Sequence, residues 1–146
     1  MDAFGIDISP AMLAIARRDN PDLSFSVGSM TELALADRSV GGILASFSVI
    51  HIPDEHIPTV FAHFHRVLRP GGAALLGFHV GDRHKIKTEG YGGHPMKVHL
   101  HWRPVDRMAA WLREAGFTIE AEIVGNQDAK APAGFLVARR PVVTQP

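Results

Sequence analysis

The chain has 146 residues, 46% of them hydrophobic and 21% charged, about the size of one domain and apolar enough for a packed core. Its basic and acidic side chains number fifteen each and cancel, which argues against binding nucleic acid or an anionic membrane through net charge. There is no cysteine, so disulfides, thiolate catalysis and Cys-ligated zinc are excluded; with no apolar run near the ~20 residues of a membrane span and no signal-peptide pattern, a soluble, cytoplasmic chain is expected.

A first strand is predicted over residues 3–6, ending in Asp7. Ser9 is placed to cap a helix whose first position is Pro10, where no N–H is needed. Met12, Leu13, Ile15 and Ala16 give that helix an apolar face, and Asn20-Pro21 ends it. Residues 23–27 (LSFSV) alternate apolar and polar, as a strand does, and Gly28 stops it. Residues 42–50 (GILASFSVI) are nearly all apolar or small, which predicts a strand buried on both faces. A turn at Ile52-Pro53-Asp54 leads into a helix reaching about Leu68, with Val60, Phe61, Phe64, Val67 and Leu68 on one stripe and Pro58 tolerable in the first turn.

RPGG at 69–72 predicts a sharp stop before another buried strand over 73–80. Residues 81–96 (GDRHKIKTEGYGGHPM) are polar and glycine-rich and predict no regular element; 97–102 (KVHLHW) alternate as a short strand. Pro104 opens a last helix with Val105, Met108, Ala109, Leu112 and Ala115 inward and Gly116 at its C′ position. Residues 117–124 and 134–140 predict two strands paired antiparallel at a sheet edge, and 141–146 a frayed tail. The alternation of strand and helix predicts an α/β fold with a mostly parallel sheet.

Four segments in this order resemble the class I, Rossmann-like S-adenosylmethionine-dependent methyltransferases of the small-molecule branch. GIDISPAMLAIAR (5–17) is similar to that family's second strand, acidic residue and helix, and VGSMTELAL (27–35) to the segment that edges the adenine. GILASFSVIHIPD (42–54) with FHRVLRPGGAALL (64–76) is similar to the fourth strand, its helix and the fifth strand. WRPVDRMAAWLREAGF (102–117) is similar to the last helix before the terminal antiparallel hairpin.

In the family, a strand and a Gly-rich loop precede the acidic strand. That strand lies at the sheet centre, between the second and fourth, with its loop against the methionine moiety of the cofactor. Here only Met1 and Asp2 precede, and the one GxG, Gly90-Tyr91-Gly92, has Pro95 where a third glycine would stand. The resemblance therefore implies one incomplete, N-terminally truncated methyltransferase domain over 1–140, with 81–102 as a cap loop over the acceptor. The native start is expected upstream of Met1; otherwise the second and fourth strands pair directly, or their unpaired edges associate as a homo-oligomer.

Asp7 stands at a strand end before a capped helix, where open α/β sheets bind ligands. The resemblance gives it the ribose hydroxyls of S-adenosylmethionine; the alternative is a helix-capping role. By the same resemblance Ile8 packs on the adenine and Met12 joins the cofactor-binding set. Ser29 and Met30 edge the ring, with Ser29 departing from the aspartate many relatives carry. Ser46, Phe47 and His51 face cofactor and acceptor from the fourth-strand end, and His79 lies on the same rim. An imidazole there can take a proton from an oxygen or nitrogen acceptor, although methyl transfer does not require a base.

Tyr91 and Trp102 are candidates for lining the acceptor pocket, against a core role for the tryptophan. His99 and His101 share a strand face, but with no acid at compact spacing and no HExxH no metal is assigned. His56, His63 and His65 are expected to be solvated. Methyl transfer from S-adenosylmethionine to a small molecule, without nucleic-acid or membrane partners, leads the functional expectations. A non-catalytic or partner-completed fragment that does not bind cofactor alone and a nucleotide-dependent oxidoreductase remain as alternatives.

Overall fold

The structure is a computed structural model and describes residues 2–126, 128, 130 and 132–143. The chain divides into two compact units, residues 1–35 and 36–146.

The first unit is a β–α–β crossover. Strands β1 (Phe4–Asp7) and β2 (Ser24–Val27) pair in parallel, from Phe4↔Ser24 to Asp7↔Val27, through helix α1 (Pro10–Asp19). The helix starts where the sequence predicts: Ser9 is extended, its Oγ accepts the Met12 N–H at 3.3 Å, and Pro10 opens the first turn. Arg17 and Arg18 sit in the last turn, where cations suit the helix dipole. Only Leu13 of the helix is buried; Phe4, Met12, Ile15 and Val27 stay exposed.

The second unit holds β3 (Val40–Ser46), α2 (Ile57–Val67), β4 (Leu68–Val80), β5 (Arg83–Glu89), β6 (Pro95–Arg103), α3 (Val105–Glu114), β7 (Thr118–Gly125) and β8 (Ala133–Arg139). The strands run in the order β5-β6-β4-β8-β7, with β3 also on β4. The β3–β4 and β4–β6 ladders are parallel and the terminal β7–β8 pair is antiparallel, as expected of the fold class. Pro58 falls in the first turn of α2, and Gly116 follows α3 at φ +102, a conformation that favours glycine. Val60, Phe61, Phe64 and Val67 of α2 and Met108 and Leu112 of α3 are buried, as are Leu76 and Phe78 of β4 and Leu136 of β8. Each such side chain contributes roughly 1.5–3 kcal/mol of burial.

Several sequence expectations are corrected. Strand β3 ends at Ser46 because Phe47 turns into left-handed backbone at φ +52, and Val49–His51 form a 3-10 turn. Nor is β3 buried on both faces: Leu44 is 71% exposed. Among the described residues β3 pairs with β4 and β1 with β2. RPGG does not break the chain: β4 begins at Leu68 and the glycines sit in a register shift between Val40 and Gly42 of its partner. Arg83–Glu89 form a strand where no regular element is predicted, antiparallel to β6, which contains the short strand expected at 97–102. His65 is not solvated on a helix's polar side but packs edge-to-face on Phe117 at 5.2 Å. Of the predicted tail, 141–143 are exposed and irregular and 144–146 lie outside the described residues.

Candidate functional site

Parallel strands bring their C-terminal ends to one rim, and each unit has such a rim. In the first unit the Gly28 N–H donates to the Asp7 carbonyl at 3.0 Å, holding the ends of β1 and β2 together. The Asp7 Oδ1 accepts the Ser9 N–H at 2.8 Å, so the carboxylate is steered by the turn that starts α1. A carboxylate has about four lone-pair positions, so this turn leaves acceptor capacity at the N-terminal end of the helix. Ile8 and Met12 follow at 72% and 57% exposure, two apolar side chains beside a carboxylate. Ser29 and Met30 stand half-buried on the same rim. The Ser29 Oγ accepts the Thr31 N–H at 3.2 Å and shares a hydrogen bond with the Thr31 hydroxyl at 2.7 Å, capping the 3-10 turn Met30–Glu32.

In the second unit Ser46 pairs with Gly77, and the Phe47 N–H donates to the Gly77 carbonyl at 2.8 Å. The left-handed backbone of Phe47 carries its ring to 5.1 Å from His79 and 6.0 Å from Phe135. His79 stacks in turn on Trp102 at 5.7 Å, and the Arg83 guanidinium covers Trp102 at 4.0 Å. Burial, with a smaller contribution from the nearby His51, holds the His79 pKa below its ordinary value. The His51 Nδ1 lies 3.0 Å from the His99 carbonyl. A carbonyl only accepts, so Nδ1 donates there and Nε2 faces elsewhere. Phe47, His51, His79 and Trp102 are thus gathered at one strand-end rim; the side chain of Tyr91 lies outside the described residues.

Arg103, which no sequence motif singles out, anchors this rim. It is 2% exposed, and burial pulls its pKa down while the Asp54 carboxylate opposes that shift. Its Nε donates to the Asp54 Oδ1 at 2.9 Å, one terminal nitrogen to the Val49 carbonyl at 3.0 Å and the other to the Ile52 carbonyl. The last residue of β6 therefore holds the segment that carries His51. The β5–β6 hairpin also stacks three histidines, bringing His84 of β5 onto His99 and His101 of β6.

A family model described as a methyltransferase domain matches residues 1–72. A demethylmenaquinone methyltransferase from Chlorobaculum parvum is 40% identical over 72 residues, covering 49% of this chain and 29% of the relative. The chain thus spans less than a third of that relative's length. A solved S-adenosylmethionine-dependent methyltransferase from Methanosarcina mazei superposes with a TM-score of 0.80 at 16% identity, over 96% of this chain and 82% of the other. A Burkholderia thailandensis 1,6-didemethyltoxoflavin-N1-methyltransferase, solved with 1,6-didemethyltoxoflavin and S-adenosylhomocysteine, superposes at 0.70 with 19% identity, over 93% and 60% of the two chains. Among the described residues no helix is long and apolar enough to cross a membrane.

Proposed function

We propose that the chain, whose residues 1–72 match a methyltransferase-domain model and whose fold is that of a solved S-adenosylmethionine-dependent methyltransferase, is a class I member of that family and transfers a methyl group from S-adenosylmethionine to a small-molecule acceptor. The observation that carries this is the rim of the first unit, inside the matched segment, where the Asp7 carboxylate stands beside the exposed Ile8 and Met12. A carboxylate flanked by apolar side chains fits a nucleoside, with hydroxyls on one side and a flat base on the other.

When bound, S-adenosylmethionine supplies a methyl group on a sulfonium, so transfer is an in-line displacement for which positioning carries much of the catalysis. Asp7 accepts the ribose hydroxyls on the lone pairs that Ser9 does not use. Ile8 and Met12 cover an adenine face, while the Met30 N–H and the Ser29 hydroxyl meet its edge. Ser46 and Phe47 shape the methyl site. His51, its Nδ1 fixed on the His99 carbonyl, takes a proton at Nε2 from an oxygen or nitrogen acceptor. His79, whose pKa burial lowers, presents its ring between Phe47 and Trp102. Those aromatic faces, and the ring compounds named for the relatives, support a flat conjugated acceptor covered by residues 81–102. The exposed Leu44 beside the outer edge of β3 supports association with a second copy.

Calorimetric titration of S-adenosylhomocysteine into the full native protein and its Asp7→Ala variant tests the site. Losing hydrogen bonds to a charged group costs roughly 1.5–3 kcal/mol, a weakening of about 10- to 150-fold. Unchanged affinity removes Asp7 from the site.

A further inference from the structure

The β5–β6 hairpin gathers three histidines, of which the methyl-transfer reading uses only the His99 main chain. Its register pairs His84 with His101 and Ile86 with His99, so all three imidazoles rise on one face. The His84 Nε2 is 2.9 Å from the His99 Nδ1, and the His84 ring centroid is 4.4 Å from that of His101. One ring nitrogen from each of the three lies within 4.8 Å of the others. His101 is only 8% exposed, and its Nε2 is buried without a hydrogen-bond partner. Native structures rarely leave such a nitrogen unsatisfied, and where one occurs an ion, water or function usually accounts for it.

We propose that His84, His99 and His101 form a binding site for a divalent transition cation of the zinc class, with three imidazole ligands and a fourth position open. Imidazole suits zinc, copper and nickel rather than magnesium or calcium. Ligation requires neutral rings. Zinc–nitrogen bonds of about 2.0–2.1 Å in tetrahedral geometry put ligand atoms roughly 3.4 Å apart, so the widest separation must close by on the order of 1 Å. His84 is exposed and His99 half-buried, and their stacked rings turn about a soft terminal torsion. The cation takes the place of the proton these two rings share.

A cavity of about 130 Å³, lined in part by His84, His101, Asp54 and Asp82, adjoins the cluster and gives room for a water or anionic group at the fourth position. Arg83, Arg103 and Arg107 outnumber those two carboxylates there, so affinity comes from the imidazole donors and not from the surrounding field. The sequence alone assigns no metal, because its view stops at His99 and His101; the hairpin delivers the third ring from β5.

Untagged native protein titrated with zinc chloride near neutral pH tests the site, with cobalt as a spectroscopic substitute. The expected result is one cation per chain and visible cobalt absorption. His84→Ala and His99→Ala should each weaken zinc binding by about 10-fold or more, in keeping with the loss of one of three ligands. Both substitutions lie on the accessible side of the cluster, so the metal-free unfolding midpoint should barely move, and either variant alone suffices if the other folds poorly. Zinc affinity that is unchanged in a folded variant, or no saturable binding by the native protein, overturns the assignment.

Discussion

Arg103→Met removes the guanidinium but keeps an unbranched apolar stem. In the native protein that guanidinium makes three hydrogen bonds, to Asp54, Val49 and Ile52, while 2% exposed. Breaking a buried pair by deleting one partner typically costs about 3–5 kcal/mol. Asp54 is half exposed, its side chain at 48%, and water can take over its share. The Val49 and Ile52 carbonyls cannot be resolvated as readily, because Val49 is fully buried. The balance predicts a loss of about 3 kcal/mol, or roughly 6–12 °C in unfolding midpoint for a chain of this size. Arg103→Lys keeps the charge but not the planar fork and should recover only part of this. Denaturant unfolding followed by circular dichroism reads both variants. An Arg103→Met protein within about 1 kcal/mol of wild type would refute the reasoning, since losing even one buried acceptor's partner costs that much.

A Cβ at Gly72 would lie 2.9 Å from both the Arg69 and the Gly41 carbonyl oxygens. Main chain cannot give way cheaply, so Gly72→Ala should lose roughly 1–3 kcal/mol in urea unfolding; wild-type stability would show that the loop relaxes freely. Burial, then the Arg140 charge, lowers the His65 pKa below 6.5. The unfolded chain therefore takes up a proton before the folded one does. The stability tied to this neutral ring is complete above about pH 6.5 and falls as the pH drops below it. His65→Gln should flatten the decline in unfolding free energy between pH 7 and 5, and an identical slope in both proteins would contradict that.

The first unit was legible because its signals are local. Ser9-Pro10 fixes the helix start, and Asp7 marks a strand end whatever lies beyond it. The hairpin β5–β6 was hidden for the opposite reason. Arg83–Glu89 is exposed along its whole length and rich in charge, so no buried apolar face announces it; the ladder to β6 makes it a strand. The histidine cluster depends on the His84↔His101 register, which no spacing along the chain encodes. Arg103 looks like any arginine before a proline until the 3-10 turn at Val49–His51 folds back onto it. The apolar run of β3 reads as doubly buried because composition records what a strand can bury, whereas Leu44 is 71% exposed, in a strand that among the described residues pairs with β4. RPGG reads as a turn because its glycines permit one, yet Gly71 at φ +85 serves a register shift within β4.

The central claim is that the fold serves S-adenosylmethionine and not a nicotinamide dinucleotide, which an acid at a strand end could also accommodate. Parallel calorimetric titrations of the two into the full native protein test it most directly. Saturable single-site binding of S-adenosylmethionine with none of the dinucleotide is predicted. A folded protein that binds only the dinucleotide, or neither, contradicts it.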